Sequence, residues 1–277
     1  MAEECNHDCG SCKEKCAEGA KPDFSAPANP LSNVRKVIGV ISGKGGVGKS
    51  LVTSLLASAM QKKGSQCAIL DADITGPSIP KIFGVNSLAT SNASGILPQQ
   101  TKKGTDIMSV NLLVEDKATP VIWRGPAIAG VVKQFWSDVI WSYEDFLFVD
   151  MPPGTGDVPL TVFQSLPVDG IIIVASPQDL VSMIVEKALR MAQNMNIPIL
   201  GLIENMSWLK CPDCGKKIYI FGEPGRTEAT AKKYNIDFLG EIPIDPQLAA
   251  LCDAGNIEYY EADFLDKAIS KLEALNK

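Results

Sequence analysis

Gly43, Lys44, Gly45, Gly46, Val47, Gly48, Lys49 and Ser50 follow an apolar run at 37–41, and their types and spacing suit phosphate binding. Glycines let successive backbone N–H groups turn inward and cradle phosphate oxygens. Lys49 can reach the β- and γ-phosphates of a nucleotide, and the Ser50 hydroxyl can bind Mg²⁺. The stretch after the loop, starting at Leu51, is helix-like and points its positive end at the same anion. Two further apolar runs end in carboxylates. Asp71 and Asp73, two residues apart, can divide the work: one holds Mg²⁺ through water, the other orients the attacking water of an in-line phosphoryl transfer. Asp150, after the run at 146–149, can also reach the magnesium shell. Asn205 closes another apolar run, and its amide carries the donor and acceptor that an adenine edge needs.

The eight cysteines point to metal chemistry rather than disulfides in a cytosolic chain. Cys211 and Cys214 form a Cys-x-x-Cys knuckle, which supplies two ligands where Zn²⁺ or an iron–sulfur cluster takes four. A second copy of the chain across a two-fold axis is the simplest source of the other two. A redox pair and half of a zinc ribbon are the alternative readings. Cys5, Cys9, Cys12 and Cys16 put four soft ligands within twelve residues, a set that suits a [4Fe–4S] cluster or Zn²⁺.

These groups need a scaffold, and the apolar runs describe one. Strands are predicted at 37–42, 67–71, 107–112, 146–150, 170–175, 198–203 and 238–240, and helices at 50–63, 127–141, 158–165, 180–194, 226–234 and 262–275. The strands are near-continuous apolar runs, as in parallel sheets covered on both faces. The expected fold is α/β: a doubly wound, mostly parallel sheet with helices on both faces and ligands at the carboxyl ends of the strands. Residues 1–33 read as a flexible Cys-rich metal-binding tail and linker, and 34–277 as the nucleotide-binding domain that carries the Cys-x-x-Cys segment at 211–214. A net charge of −6 argues against broad affinity for nucleic acid or an anionic membrane. No apolar stretch nears the roughly 20 residues of a membrane span, and the acidic N-terminus lacks a secretory apolar core, so the expected location is cytoplasmic.

Taken in order, GKGGVGKS, DADITGPSIP, WRGP, VDMPPGTGD, SPQDL, ENMSWLKCPDCG and IPIDP resemble the Mrp-type iron–sulfur cluster carrier ATPases. These are grouped with MinD, ParA and the nitrogenase iron protein, and the resemblance spans about 34–253. It implies a P-loop NTPase fold, with Gly43, Lys44, Gly45, Gly46, Val47, Gly48, Lys49, Ser50 and Leu51 around ATP or ADP. Lys44 resembles the extra lysine that reaches across a dimer to the partner's nucleotide. Lys49 and Ser50 resemble the phosphate and Mg²⁺ ligands, Asp73 the residue that positions water, and Asp71 and Asp150 outer magnesium ligands. Asn205 resembles an adenine reader, with Pro243 walling the base. Cys211 and Cys214 are similar to the pair that bridges a [4Fe–4S] cluster between subunits. The N-terminal four-cysteine set has shorter spacings than those in the relatives that bear one.

The function this implies is a homodimeric ATPase that binds a [4Fe–4S] cluster and transfers it to client apo iron–sulfur proteins, using ATP, Mg²⁺ and slow hydrolysis. A second cluster or Zn²⁺ would sit in the tail. A MinD- or ParA-like positioning ATPase shares the nucleotide site, but the C-terminal stretch 257–277 mixes acids and bases and has no polybasic face. A reductase resembling the nitrogenase iron protein is the third reading.

Overall fold

The structure is a computed structural model that describes residues 25–74, 76–114, 125–154, 156–177 and 181–276. The cysteines at 5, 9, 12 and 16 and the Trp123 end of the WRGP segment lie outside these residues.

The chain alternates strand and helix, as its apolar runs require. The elements are β1 (Asn33–Ser42), α1 (Lys49–Lys62), β2 (Cys67–Asp71), α2 (Ile79–Phe83), β3 (Thr90–Asn92), β4 (Gly95–Leu97), β5 (Gln99–Gln100), β6 (Asp106–Met108) and α3 (Gly125–Ser137). They continue with β7 (Tyr143–Asp150), α4 (Asp157–Ser165), β8 (Gly170–Ala175), α5 (Val181–Met195), β9 (Ile199–Lys210), β10 (Lys217–Ile218), α6 (Arg226–Lys233), β11 (Phe238–Ile244), α7 (Pro246–Asp253) and α8 (Asp266–Leu275). The main sheet runs β11-β9-β8-β1-β7-β2-β6-β5, and every pairing from β11 to β6 is parallel. Antiparallel β5 closes one edge, and antiparallel β10 pairs with the far end of β9.

Side chains alternate across the sheet, so each strand feeds two cores. From β1, Val37 and Ile41 join Val132, Phe135, Val162 and Val185 of α3, α4 and α5. Ile38 and Val40 join Leu55, Phe83, Leu248 and Leu272 of α1, α2, α7 and α8 on the other face. Leu56 of α1 is fully buried, and its truncation to Ala would cost about 2–5 kcal/mol. The doubly wound arrangement expected from the sequence is therefore present in the described residues.

Several boundaries differ from the sequence reading. The strand predicted at 107–112 stops at Met108, because Ser109 turns its hydroxyl to Asp71 and a short 3-10 turn, Val110–Leu112, comes next. The helix predicted to 141 ends at Ser137; Val139 bridges Ile96, and Trp141 packs back with its indole N–H on the Phe135 carbonyl at 3.0 Å. β9 runs seven residues past the predicted end at 203, and β11 four past 240. The β3–β4 hairpin has polar, exposed residues on its first strand and only two apolar residues, Ile96 and Leu97, on its second, too short a run to read as a strand. Residues 25–32, expected as linker, are tied to the body: Ala26 is buried, its N–H donates to the Ser165 carbonyl, and its own carbonyl accepts from the Trp136 indole.

Candidate functional site

Strand β1 delivers the chain at Ser42 to a loop that turns back into α1. Gly46 and Gly48 have φ of 78° and 81°, left-handed values that glycine adopts at low cost. A Cβ on Gly48 would lie 2.1 Å from the Asn205 Nδ2, so loop and β9 meet at a spacing only glycine allows. Asn205 uses that closeness: its Nδ2–H donates to the Val47 carbonyl at 2.8 Å. The loop after β7 is tied in as well, with Gly154 N–H on the Ser42 carbonyl at 2.8 Å. Lys44 sits between, its carbonyl accepting from the Ser42 hydroxyl at 3.0 Å.

The register of β2 against β7 places Asp71 directly opposite Asp150. Both are fully buried. Lys49 Nζ lies 2.6 Å from Asp150 Oδ1 and 3.6 Å from Asp73 Oδ2. Ser50 Oγ–H donates to Asp150 Oδ2 at 2.5 Å, and Thr53 Oγ1–H to Oδ1 at 3.1 Å. Asp71 accepts from Ser109 Oγ at 3.0 Å and from the Asp73 backbone N–H at 3.3 Å. Burial, then the facing Asp150 charge, pushes Asp71 up to about 8. Burial also raises Asp150, opposed by Lys49 and the two hydroxyls. One ammonium, three hydroxyls and three carboxyl groups thus converge beside the phosphate loop.

Two clefts open here. One, of about 320 Å³, is lined by loop residues including Gly45, Gly48, Lys49 and Ser50, and by Asp73 and Pro153. The other, of about 350 Å³, is lined by Asn205, Met206, Pro243, Leu248 and Cys252 among others. Leu51 and Ile82 line both, so a polar phosphate-sized end is continuous with a mainly apolar base-sized end.

Beyond Asn205, β9 continues to Lys210 and turns through Cys211 and Cys214 into β10. The turn is closed by Cys211 N–H on the Lys216 carbonyl and Gly215 N–H on the Cys211 carbonyl, at 2.9 and 3.0 Å. Cys214 is exposed and Cys211 partly so. The backbone N–H of Cys214, then that of Asp213, holds the Cys211 thiol below its ordinary range, which favours the ligating thiolate. Among the described residues no group of three or more His, Cys, Asp or Glu forms a metal-sized cluster, so this hairpin offers its two thiols alone.

The structure therefore brings Gly43 to Leu51 in sequence, Asp71, Asp73 and Asp150 to one end of the sheet, and Asn205 and Pro243 to the adjoining cleft. Sequence reasoning missed Thr53, Ser109, Met206, Leu248 and Cys252. Thr53 was reachable as the residue one helical turn after Lys49. Ser109 and the cleft walls depend on strand neighbours that sequence order does not give.

Comparison with known proteins agrees with this geometry. A family model described as ParA, NUBPL iron-transfer P-loop NTPase, matches residues 33–275. An iron–sulfur cluster carrier protein of Clostridium perfringens is 42% identical over 271 residues, covering 92% of this chain and 95% of the relative. One from Methanocaldococcus jannaschii is 45% identical over 259 residues, covering 91% and 89%. A solved nucleotide-binding protein of Archaeoglobus fulgidus in complex with ADP superposes with a TM-score of 0.76 at 43% identity, covering 84% of this chain and 91% of that one. The cell-division ATPase MinD of Pyrococcus furiosus, at 19% identity and a TM-score of 0.60, shares the fold.

Proposed function

This chain belongs to the NUBPL iron-transfer P-loop NTPases, and from that premise we propose that it is an ATP-dependent carrier of iron–sulfur clusters. The observation that carries the reading is the connection of the two chemistries by one strand. Asn205 of β9 touches the phosphate loop, and the same strand ends at the paired thiols of Cys211 and Cys214. Relatives named as iron–sulfur cluster carriers over nearly their whole length support it.

In this reading, inward backbone N–H groups of residues 43–48 and the Lys49 ammonium bind the β- and γ-phosphates. Lys49 exchanges its contact with Asp150 Oδ1 for the phosphate oxygens, which leaves that oxygen to Thr53 while Ser50 stays on Oδ2. Ser50, Asp150 and, through water, Asp71 are hard oxygen donors that fit Mg²⁺, which when bound neutralises charge on the phosphates. Asp73, at the rim of the phosphate cleft, orients the attacking water. Lys44 acts on the partner's nucleotide across a homodimer. Asn205 and Pro243 hold the adenine. Hydrolysis is slow and coupled to release of the cargo.

The cargo is a [4Fe–4S] cluster held by Cys211 and Cys214 of two subunits, since each hairpin supplies two thiolates and the cluster takes four. Clients are apo iron–sulfur proteins. Cys5, Cys9, Cys12 and Cys16 would hold a second cluster or Zn²⁺, on ligand chemistry alone. Among the described residues no helix is long and apolar enough to cross a membrane, and we place the protein in the cytoplasm.

Anaerobic reconstitution of a chain lacking residues 1–20 tests this reading. About four irons per dimer are expected, with loss of iron in Cys211→Ala and in Cys214→Ala, and transfer to an apo-ferredoxin. Tight zinc in place of iron, or a cluster that survives both substitutions, would overturn it.

A further inference from the structure

Between the nucleotide cleft and the thiol hairpin lies one residue in a conformation its side chain disfavours. Met206 has φ of 59°, in the left-handed region, although it sits inside strand β9. A non-glycine residue there costs on the order of 1–3 kcal/mol and persists only where its surroundings enforce it. The pairing of β9 with β11 shows the effect. Asn205 pairs with Ile242 and Leu209 with Ile244, so Met206, Ser207 and Trp208 together oppose only Pro243. Such a bulge bends a strand and re-aims the side chains beyond the bend.

Four features place this bend between the two chemistries. On the near side, Asn205 is fastened to the phosphate loop through the Val47 carbonyl. At the bend, Met206, Pro243 and Ile244 all line the base cleft, so a base entering the cleft touches both strands where they are irregular. Across the bend, the buried Ser207 hydroxyl donates to the Glu204 carboxylate. On the far side, Trp208 stacks under the Lys217 ammonium at 4.3 Å, which ties the bent strand to the return strand of the cysteine hairpin. The buried Trp208 indole N–H finds no acceptor among the described residues, so that side of the bend is incompletely satisfied as it stands. From Asn205 to Cys211 is six residues, roughly 20 Å of strand.

We infer that Met206 is a positioning residue, a left-handed joint through which base binding in the cleft re-aims the Cys211 and Cys214 hairpin. This rests on the nucleotide-dependent carrier reading and adds the element that couples its two sites. Nucleotide favours one setting of the joint, the hairpin moves with it, and linkage requires that cluster ligation alter nucleotide affinity in return. Glycine at 206 removes the cost of the left-handed backbone and leaves a slack joint. Asparagine tolerates the left-handed region and keeps it set.

The test uses the full chain, reduced and without cluster, with ADP and Mg²⁺ as the probe. Iodoacetamide labelling of the peptide bearing Cys211 and Cys214 is timed by mass spectrometry, with the tail cysteines as internal reference. Calorimetry gives ADP affinity, and sizing matches the oligomeric state. ADP should change the hairpin labelling rate about fivefold or more in the native chain, the low end of ordinary coupling. Met206→Gly should cut that response to about twofold or less when each variant is saturated with ADP at the concentration its own calorimetric affinity requires, while Met206→Asn retains the native response. An unchanged rate in the native chain despite measured ADP binding overturns the joint and leaves the nucleotide site standing. So does a full response in Met206→Gly. Failure of the native chain to bind ADP overturns the carrier reading itself.

Discussion

Replacing Lys49 by Met removes more than a phosphate ligand. Its ammonium sits 2.6 Å from Asp150, a carboxylate with no solvent exposure. Removing one partner of a buried pair costs about 3–5 kcal/mol, because the other charge is left uncompensated. Ser50 and Thr53 still donate to Asp150, which puts the expected loss at the lower end, near 3 kcal/mol. In a domain of this size that lowers Tm by roughly 6–12 °C. The same stranded charge sets the sign of the pH dependence. Without Lys49 the Asp150 pKa, already raised by burial, rises further, so the folded state keeps a proton that the unfolded chain releases. Stability of Lys49→Met should then fall as pH rises above the unfolded carboxyl range. Adding Asp150→Asn removes the stranded charge and should recover more than half of the loss, but not nucleotide binding, since the cation for the phosphates is still missing. Thermal melts at pH 6 and 8, with calorimetric ATP titration, measure both. If Lys49→Met melts within about 2 °C of native at pH 8, Asp150 does not depend on Lys49 and the charge balance argued for the site is wrong.

Four further outcomes are expected. Gly48→Ala must move Asn205 and hold alanine at φ 81°; left-handed backbone costs about 1–2 kcal/mol and the lost hydrogen bond about 1 kcal/mol, so ATP affinity should drop about 30-fold or more by calorimetry. Asp73→Ala should bind ATP with near-native affinity but lose phosphate release; normal turnover would remove its role with water. Glu144, buried beside Asp106, is pushed up to about 8 by burial and then by that neighbour's charge. Its folded pKa exceeds the unfolded value, so native stability should decline from about pH 4.5 to 8, and Glu144→Gln should flatten the decline in urea melts. Cys252 lines the base cleft with its thiol raised by burial, so alkylation at neutral pH should be slow and slower still with ADP; an ADP-independent rate would count against the base assignment.

Strand cores of the fold were legible because both faces of the parallel sheet are covered, which forces apolar runs such as 146–149 and 171–174. The loop was legible for the same kind of reason: glycines at 46 and 48 answer a left-handed backbone requirement that glycine meets at the lowest cost. What was hidden depends on adjacency across the sheet. Ser109 reaches Asp71 only because β6 lies beside β2, and the base cleft gathers Leu51, Met206, Pro243 and Cys252 from four separate elements.

The extension of β9 shows why the rest resisted. Apolar periodicity ends at Ile203, yet the strand continues through Glu204, Asn205 and Ser207, all buried. Polar side chains in a buried strand are tolerated when each has a partner: Asn205 has the Val47 carbonyl, and Glu204 and Ser207 have each other. None of those partners is implied by the sequence pattern, and a methionine gives no sign of a left-handed backbone. Local rules fail here in three ways at once: polarity in a strand core, a left-handed methionine and a broken register. All three fall between the phosphate loop and the cysteine pair, on the stretch of β9 where the proposed joint would couple the two sites.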